Sequence, residues 1–185
     1  YCDTRNEAKK WVKENTNWHY HSCFSRILGK KVNKAIKKVK GDYCVFIMGD
    51  SYPHPEFLEI INQYISPNAV VCGSRLQIDE NKVVSPDWRL LKEVIPPFPT
   101  LLAGDQYGRV TGNGLVVPTK AFQNYSYPVL RKYGGDDDIL AAKLFADGYV
   151  FYSVPQAIIY HFYHKEKFED EKTRKLVRRK IKRIL

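Results

Sequence analysis

Apolar and polar positions along the 185-residue chain fall into two kinds of run, and together they predict an α/β domain. In the first kind, apolar residues recur every three or four positions, the spacing of a helix with one buried stripe. Val32, Ala35, Ile36 and Val39 do so within residues 29–40, with lysines on the other side and Gly41-Asp42 as the stop. Leu140, Ala141, Leu144, Phe145 and Gly148 mark a second stripe behind Gly134-Gly135-Asp136-Asp137-Asp138. Ala8, Trp11 and Val12 predict an N-terminal helix ending at Asn15, with Asp3 or Thr4 as its cap. Helices are also expected over 56–64, after Pro53 and Pro55, and over 88–94. A last one is expected over 168–185, where Leu176, Val177, Ile181 and Ile184 are the apolar positions.

Runs of the second kind are short and apolar, as in strands. Residues 43–48 are apolar throughout, which predicts a strand covered on both faces, as in a parallel sheet. Further strands are expected over 69–78, with a turn near 79–81, then over 115–117, 149–154 and 157–162. The aromatic stretch 18–25 predicts a short one. Pro96-Pro97-Phe98-Pro99 excludes regular structure and marks a long loop. Internal repeats and low-complexity segments do not occur.

Composition narrows the class. Apolar residues make up 44% and charged residues 27%, as in a soluble globular protein, and the length suits one domain. No run approaches the roughly 20 apolar residues that span a bilayer, and no secretory signal is visible. Cys2, Cys23, Cys44 and Cys72 are widely spaced without a Cys-x-x-Cys pair, which points to reduced thiols in a cytoplasmic protein, with Cys44 a small core residue. The net charge of +10 is uneven. Residues 165–185 carry ten Lys/Arg against four Asp/Glu, and 30–40 carry six lysines. Such clusters suit phosphates, nucleic acid or anionic lipid. The tail has few aromatics and no recognised nucleic-acid motif, so no specific nucleic acid is expected. An anionic membrane surface met through 165–185 would make the protein peripheral at the inner face of a membrane.

Three places carry candidate chemistry. The triple acid 136–138 crowds like charges, a cost that a helix N-terminus offsets with free N–H groups and its positive dipole end. Extending the stripe backwards from Leu140 reaches Asp137, which predicts Asp137 aimed towards the domain interior or a cleft, with Asp136 and Asp138 flanking it. Asp50 follows the strand 43–48, in the position beyond a strand's carboxyl end where ligands sit in open α/β sheets. His161 ends the strand 157–162. Aspartate and histidine are competent ligands for Mg²⁺ or Mn²⁺, and a separate carboxylate serves as general base.

The order of these pieces resembles a GT-A glycosyltransferase domain of the family 2 type. Asn33-Lys34-Ala35-Ile36 with Gly41-Asp42-Tyr43 is similar to that family's approach to its metal strand. Residues 46–58, Phe-Ile-Met-Gly-Asp-Ser-Tyr-Pro-His-Pro-Glu-Phe-Leu, resemble its Asp-x-Asp segment and the prolines behind it. Thr111-Gly112-Asn113-Gly114 and the strand after it are similar to the Gly-Asn strand before the acceptor site. Tyr133 to Asp138 resembles the Gly-Gly-Glu-Asp motif, and 155–164 the closing Pro-x-Ala-x-x-x-His segment. The likeness extends over most of 29–164.

The resemblance implies a Rossmann-like three-layer α/β/α fold around a mostly parallel sheet, over residues 1–164, with 165–185 as a basic C-terminal helix. It implies transfer of a sugar, hexosyl or N-acetylhexosaminyl, from a nucleotide-diphosphate donor such as a UDP-sugar to a hydroxyl of a saccharide or lipid-linked acceptor, with inversion. Asp50 and His161 match the ligands of a divalent Mn²⁺ or Mg²⁺ ion. Asp137 matches the base that deprotonates the acceptor, Asp136 an acceptor contact in place of the usual Glu, and Asn113 a further substrate contact. Lys30 and Lys31 stand where the family places basic contacts to the nucleotide, and Asp3 where it places a base contact. Two departures stand out: Met48 replaces the first acid of Asp-x-Asp, and most of the N-terminal strand–helix–strand unit is missing. They favour an alternative, a non-catalytic carbohydrate-binding or scaffolding domain of the same fold. A nucleic-acid binder is a weaker one.

Overall fold

The computed structural model describes residues 9–10, 13–14, 27–79, 82–86, 100–102, 112–130, 135–162 and 171–185. Among the described residues the helices with defined bounds are α1 (Leu28–Ile36), α2 (Phe57–Asn62), α3 (Ala121–Asn124), α4 (Asp136–Ala146) and α5 (Glu171–Lys182). The strands among them are β1 (Tyr43–Phe46), β2 (Ser51–Pro53), β3 (Ala69–Asp79), β4 (Lys82–Pro86), β5 (Thr100–Leu102), β6 (Leu115–Pro118) and β7 (Val150–Phe162). Residues 9–10 and 13–14 are helical, in keeping with the N-terminal helix. Asp3, the strand at 18–25, the helix at 88–94 and the proline loop lie outside the described residues.

One sheet organises the chain, in the order β1-β6-β3-β7-β2, with β4 on β3 and β5 on β7. Its longest ladder, β3 on β7, is parallel, as is β5 on β7. Antiparallel ladders β1–β6, β3–β6, β3–β4 and β2–β7 complete it. Because strands alternate their side chains, the sheet feeds two cores. Val70, Cys72, Leu115, Val117 and Phe151 meet α4 and α5 on one face, with Val32 and Ile36 of α1 and Phe122 of α3 against the same cluster. Ala69, Val71, Val116, Val154 and Ile159 meet Phe57 and Ile61 of α2 on the other. The result is the three-layer α/β arrangement expected.

Several details differ from the pattern reading, each for a physical reason. The strand from Tyr43 is antiparallel to β6 and ends the described sheet, with Val45 and Ile47 exposed rather than covered. The two strands expected over 149–162 are one strand: Gly73 pairs with Val154 and Ser74 with Ile158, so 155–157 bulge out of the ladder. Pro155 lacks the N–H a regular ladder needs there. In α5, Val177 and Ile181 are buried against α4 and Ile184 is half-buried. Leu176, expected on the same seam, is exposed, because α5 presents only one narrow side to its neighbour. Cys44 is buried as a free thiol, like Cys72, and burial raises its pKa.

Candidate active site

The site is assembled at one end of the sheet by three turns. The first follows β1. Ser51 N–H donates to the Met48 carbonyl at 3.1 Å, which folds Gly49-Asp50 into a tight turn and starts β2. β2 then pairs with the end of β7 in a register that sets Ser51 opposite His161. Phe162 N–H donates to the Asp50 carbonyl at 2.9 Å, fixing the turn against that strand. As a result, Asp50 Oδ2 and His161 Nε2 lie 3.5 Å apart, the histidine buried and the aspartate open to solvent. Two residues 111 positions apart in sequence are thus brought onto one spot.

The second turn is Gly112-Asn113-Gly114 before β6. Asn113 Nδ2 donates to Ser51 Oγ at 2.6 Å, and Ser51 Oγ donates to Asp50 Oδ1 at 3.2 Å. Asn113 Oδ1 accepts the Met48 N–H at 3.3 Å. A buried amide with both its oxygen and its nitrogen engaged locks the Asp50 turn to the β6 turn.

The third is the start of α4. Gly135 precedes it with φ +74°, a left-handed conformation that glycine adopts without strain. A side chain there would also run into Val177 of α5, 2.6 Å from the position of a Cβ. Glycine therefore lets α5 press against the helix start. Asp137 Oδ2 accepts the Gly112 N–H at 2.9 Å and its Oδ1 accepts the Asp138 N–H at 3.1 Å. The Asp50–His161 pair, three hydrogen bonds and one turn link His161, Asp50, Ser51, Asn113, Gly112 and Asp137.

The periodicity reading of 136–138 needs correction. Asp136 and Asp138 are the buried members, and Asp137 is half-buried, turned toward Gly112. The reason is that α4 is enclosed by the sheet on one side and α5 on another, so seven of its residues are buried. A helix without a solvated face has no single stripe to extrapolate. The Asp136 carboxyl is pushed up to about 6, chiefly by burial and then by the charge of Asp137. Its own backbone N–H and the Tyr127 hydroxyl act the other way, and Asp138 adds a smaller upward push.

Of the remaining candidates, Lys30 and Lys31 lie exposed on the first turn of α1, and Asp3 falls outside the described residues. Pattern reasoning missed Ser51 and Tyr127. Tyr127 is wholly buried, and its hydroxyl lies beside Gly112 as Met48 Cε does. Tyr127 precedes Pro128, a weak signal of fixed backbone, but nothing in a linear pattern places its hydroxyl at the acids.

The family model of glycosyltransferase-like family 2 matches residues 24–182. The chain belongs to that family. A search of curated proteins gives no match. Among solved structures, the family 2 chain is similar to S. aureus TarS, residues 1–349, crystallised in complex with UDP-GlcNAc. The TM-score is 0.62 at 15% identity, over 89% of this chain and 48% of TarS. The family 2 chain thus spans about half of that relative's length, and the likeness confirms its GT-A fold.

Whether a divalent ion suits this family 2 site is decided by its donors. Asp50 and His161 supply one oxygen and one nitrogen 3.5 Å apart. Among the described residues no group of three or more His, Cys, Asp or Glu is arranged to hold a metal ion. Two protein donors suffice for an ion of the Mg²⁺ type, which keeps several waters and takes further oxygens from substrate phosphates. They fit an ion that arrives with a diphosphate better than one held by protein alone.

Proposed function

We propose that this domain transfers a sugar from a nucleotide diphosphate, a UDP-sugar, to a hydroxyl of a saccharide or lipid-linked acceptor, with inversion. The observation that carries the reading is the path of contacts running from the Asp50–His161 pair to Asp137. It joins the pair read here as phosphate-side to the carboxylate read here as acceptor-side. Membership of family 2 supports the same reaction class, and the UDP-GlcNAc bound to TarS supports the donor class.

In this reading Asp50 and His161 hold a Mn²⁺ or Mg²⁺ ion. When bound, the ion neutralises charge that develops on the departing diphosphate. Asp137 takes the proton of the acceptor hydroxyl. The acceptor oxygen forms its bond to the anomeric carbon as the bond from that carbon to the phosphate oxygen breaks, and the nucleoside diphosphate leaves with that electron pair. Gly112 and Asp138 N–H groups each occupy one lone pair of the Asp137 carboxylate, which leaves acceptor capacity on both oxygens for the incoming hydroxyl. Asp136 and Asn113 line the acceptor side, and Lys30 and Lys31 the nucleotide side.

Calorimetry with UDP and Mn²⁺ tests the donor half. Binding of UDP is expected to strengthen at least tenfold with Mn²⁺ present, and Asp50→Ala is expected to abolish that gain while metal-free binding stays as it was. UDP binding that ignores both the ion and Asp50 would refute the metal assignment. Met48 in place of an acid favours a second reading, a non-catalytic domain that binds carbohydrate. Saccharide binding without nucleotide binding would establish it.

We further place residues 165–185 against an anionic membrane surface. Lys172, Lys175, Arg178, Arg179, Lys182 and Arg183 of this segment are exposed while Val177 and Ile181 hold the helix to the domain. No helix among the described residues is long and apolar enough to cross a membrane. Flotation with phosphatidylglycerol vesicles is expected to carry the protein upward, and Lys175→Glu with Arg179→Glu to leave it at the bottom. Equal flotation with neutral vesicles would count against electrostatic docking.

A further inference from the structure

We infer that Asn33 and Tyr127 form a clamp that positions the acidic start of α4, Asn33 acting through Tyr127 on the carboxyl of Asp136. The inference deepens the glycosyl-transfer reading and rests on it for the role of Asp136 toward the acceptor.

Asn33 stands on α1, 94 residues before its partner. Its Nδ2 donates to the Tyr127 carbonyl at 2.9 Å, and its Oδ1 accepts the Tyr127 N–H at 2.8 Å. One side-chain amide thus satisfies both backbone groups of one residue. The geometry requires an extended backbone, in which a residue's N–H and C=O point the same way. Pro128 disfavours helical backbone at Tyr127 and so prepares it for that contact. The alternative partners are few, because residues 125–130 belong to no strand ladder.

The clamped residue reaches the acids directly. The Tyr127 ring is buried and lies 5.8 Å from that of Phe46, tilted by 32°, which leaves the ring little freedom to swing. Its hydroxyl hydrogen-bonds the Asp136 carboxyl. It also lies against Gly112, whose N–H holds Asp137. Among the described residues, the charged or titratable groups that act on Asp136 are Asp137 and Asp138 on its own helix and the Tyr127 hydroxyl. From α5, Val177 packs on this end of the helix. A shift of the Tyr127 backbone therefore transmits to both acids at once, and Asn33 is the polar contact that holds that backbone to α1.

The test follows the Asp136 carboxyl carbon by NMR during a pH titration, with sugar transfer measured in parallel. Tyr127→Phe deletes the hydrogen bond that favours the ionised form, so the Asp136 midpoint is expected to rise by roughly half a unit to one unit. Asn33→Ala is expected to move it in the same direction, and the double variant no further than Tyr127→Phe alone, since both act through one contact. Val32→Ala, which loosens the core contact of α1, is expected to leave the midpoint in place. Asn33→Ser, a milder change, replaces the alanine variant if that does not fold. An unmoved midpoint in the Asn33 variant, additive shifts in the double variant, or an equal shift in Val32→Ala would overturn the clamp. The titration stands without turnover: coupled shifts in a protein that transfers no sugar would keep the clamp and reject the catalytic reading.

Discussion

Replacing Asp137 by asparagine is expected to lower the rate of sugar transfer by about three orders of magnitude, within the range general-base catalysis supplies, with little change in nucleotide-sugar affinity. The substitution is nearly isosteric. An asparagine oxygen turned toward Gly112 keeps the contact that Asp137 Oδ2 makes at 2.9 Å. The β6 turn therefore keeps its anchor, while the amide Nδ2 gives up the Asp138 N–H bond that Oδ1 accepts at 3.1 Å. Beyond that one local contact, what disappears is a group able to take a proton. In the proposed reading the donor is held at the other end of the site, at Asp50 and His161, and the variant leaves that pair untouched. Steady-state kinetics with the acceptor varied, alongside calorimetry with the donor, separates the two effects. Full turnover in the variant would remove Asp137 from the mechanism. Equal loss of donor binding would mean that the amide had disturbed the frame and not the chemistry.

The path from Asp50 to Asp137 explains which parts of the site were legible in the sequence. Asp50 and His161 each stand just past an apolar run, and that position alone marked them as ligand-facing. Their meeting was not legible, because it depends on the register of β2 against β7, and a three-residue strand such as β2 leaves no periodicity to read. Asp137 emerged from a helical stripe, yet the enclosure of α4 makes Asp136 and Asp138 the buried acids. Its orientation toward the β6 turn comes from the Gly112 contact, 25 residues away in sequence. Strand β1 misled for a related reason. An unbroken apolar run reads the same at the centre of a sheet and at its border, so the antiparallel placement beside β6 had no linear signature. The α/β alternation survived these errors, since it depends only on where helices and strands fall.

Gly29→Ala is expected to destabilise the fold by about 2 kcal/mol or more, although alanine is the better helix former. Gly29 lies within α1 and is buried, and no unusual backbone conformation favours glycine there. Helix propensity alone would predict a gain of about 1 kcal/mol. Against it stands a steric fact: a Cβ at Gly29 would lie 2.1 Å from the Pro128 carbonyl oxygen and 3.0 Å from Val129 Cα. Both are backbone atoms, which no side-chain rotation can clear, so α1 or the 125–130 segment must move. Overpacking of this kind costs about 1–3 kcal/mol and sometimes more, and the movement also pulls on the two Asn33–Tyr127 hydrogen bonds next door. The steric term therefore wins. For a chain of this length the loss corresponds to a fall in Tm of about 4–8 °C. Gly49→Ala supplies the contrast, because a Cβ there meets nothing within 4 Å, and its Tm is expected to match the parent. A Gly29→Ala protein as stable as the parent in calorimetry would show that α1 does not sit directly on the Pro128 carbonyl, and the seat of the clamp would have to be redrawn.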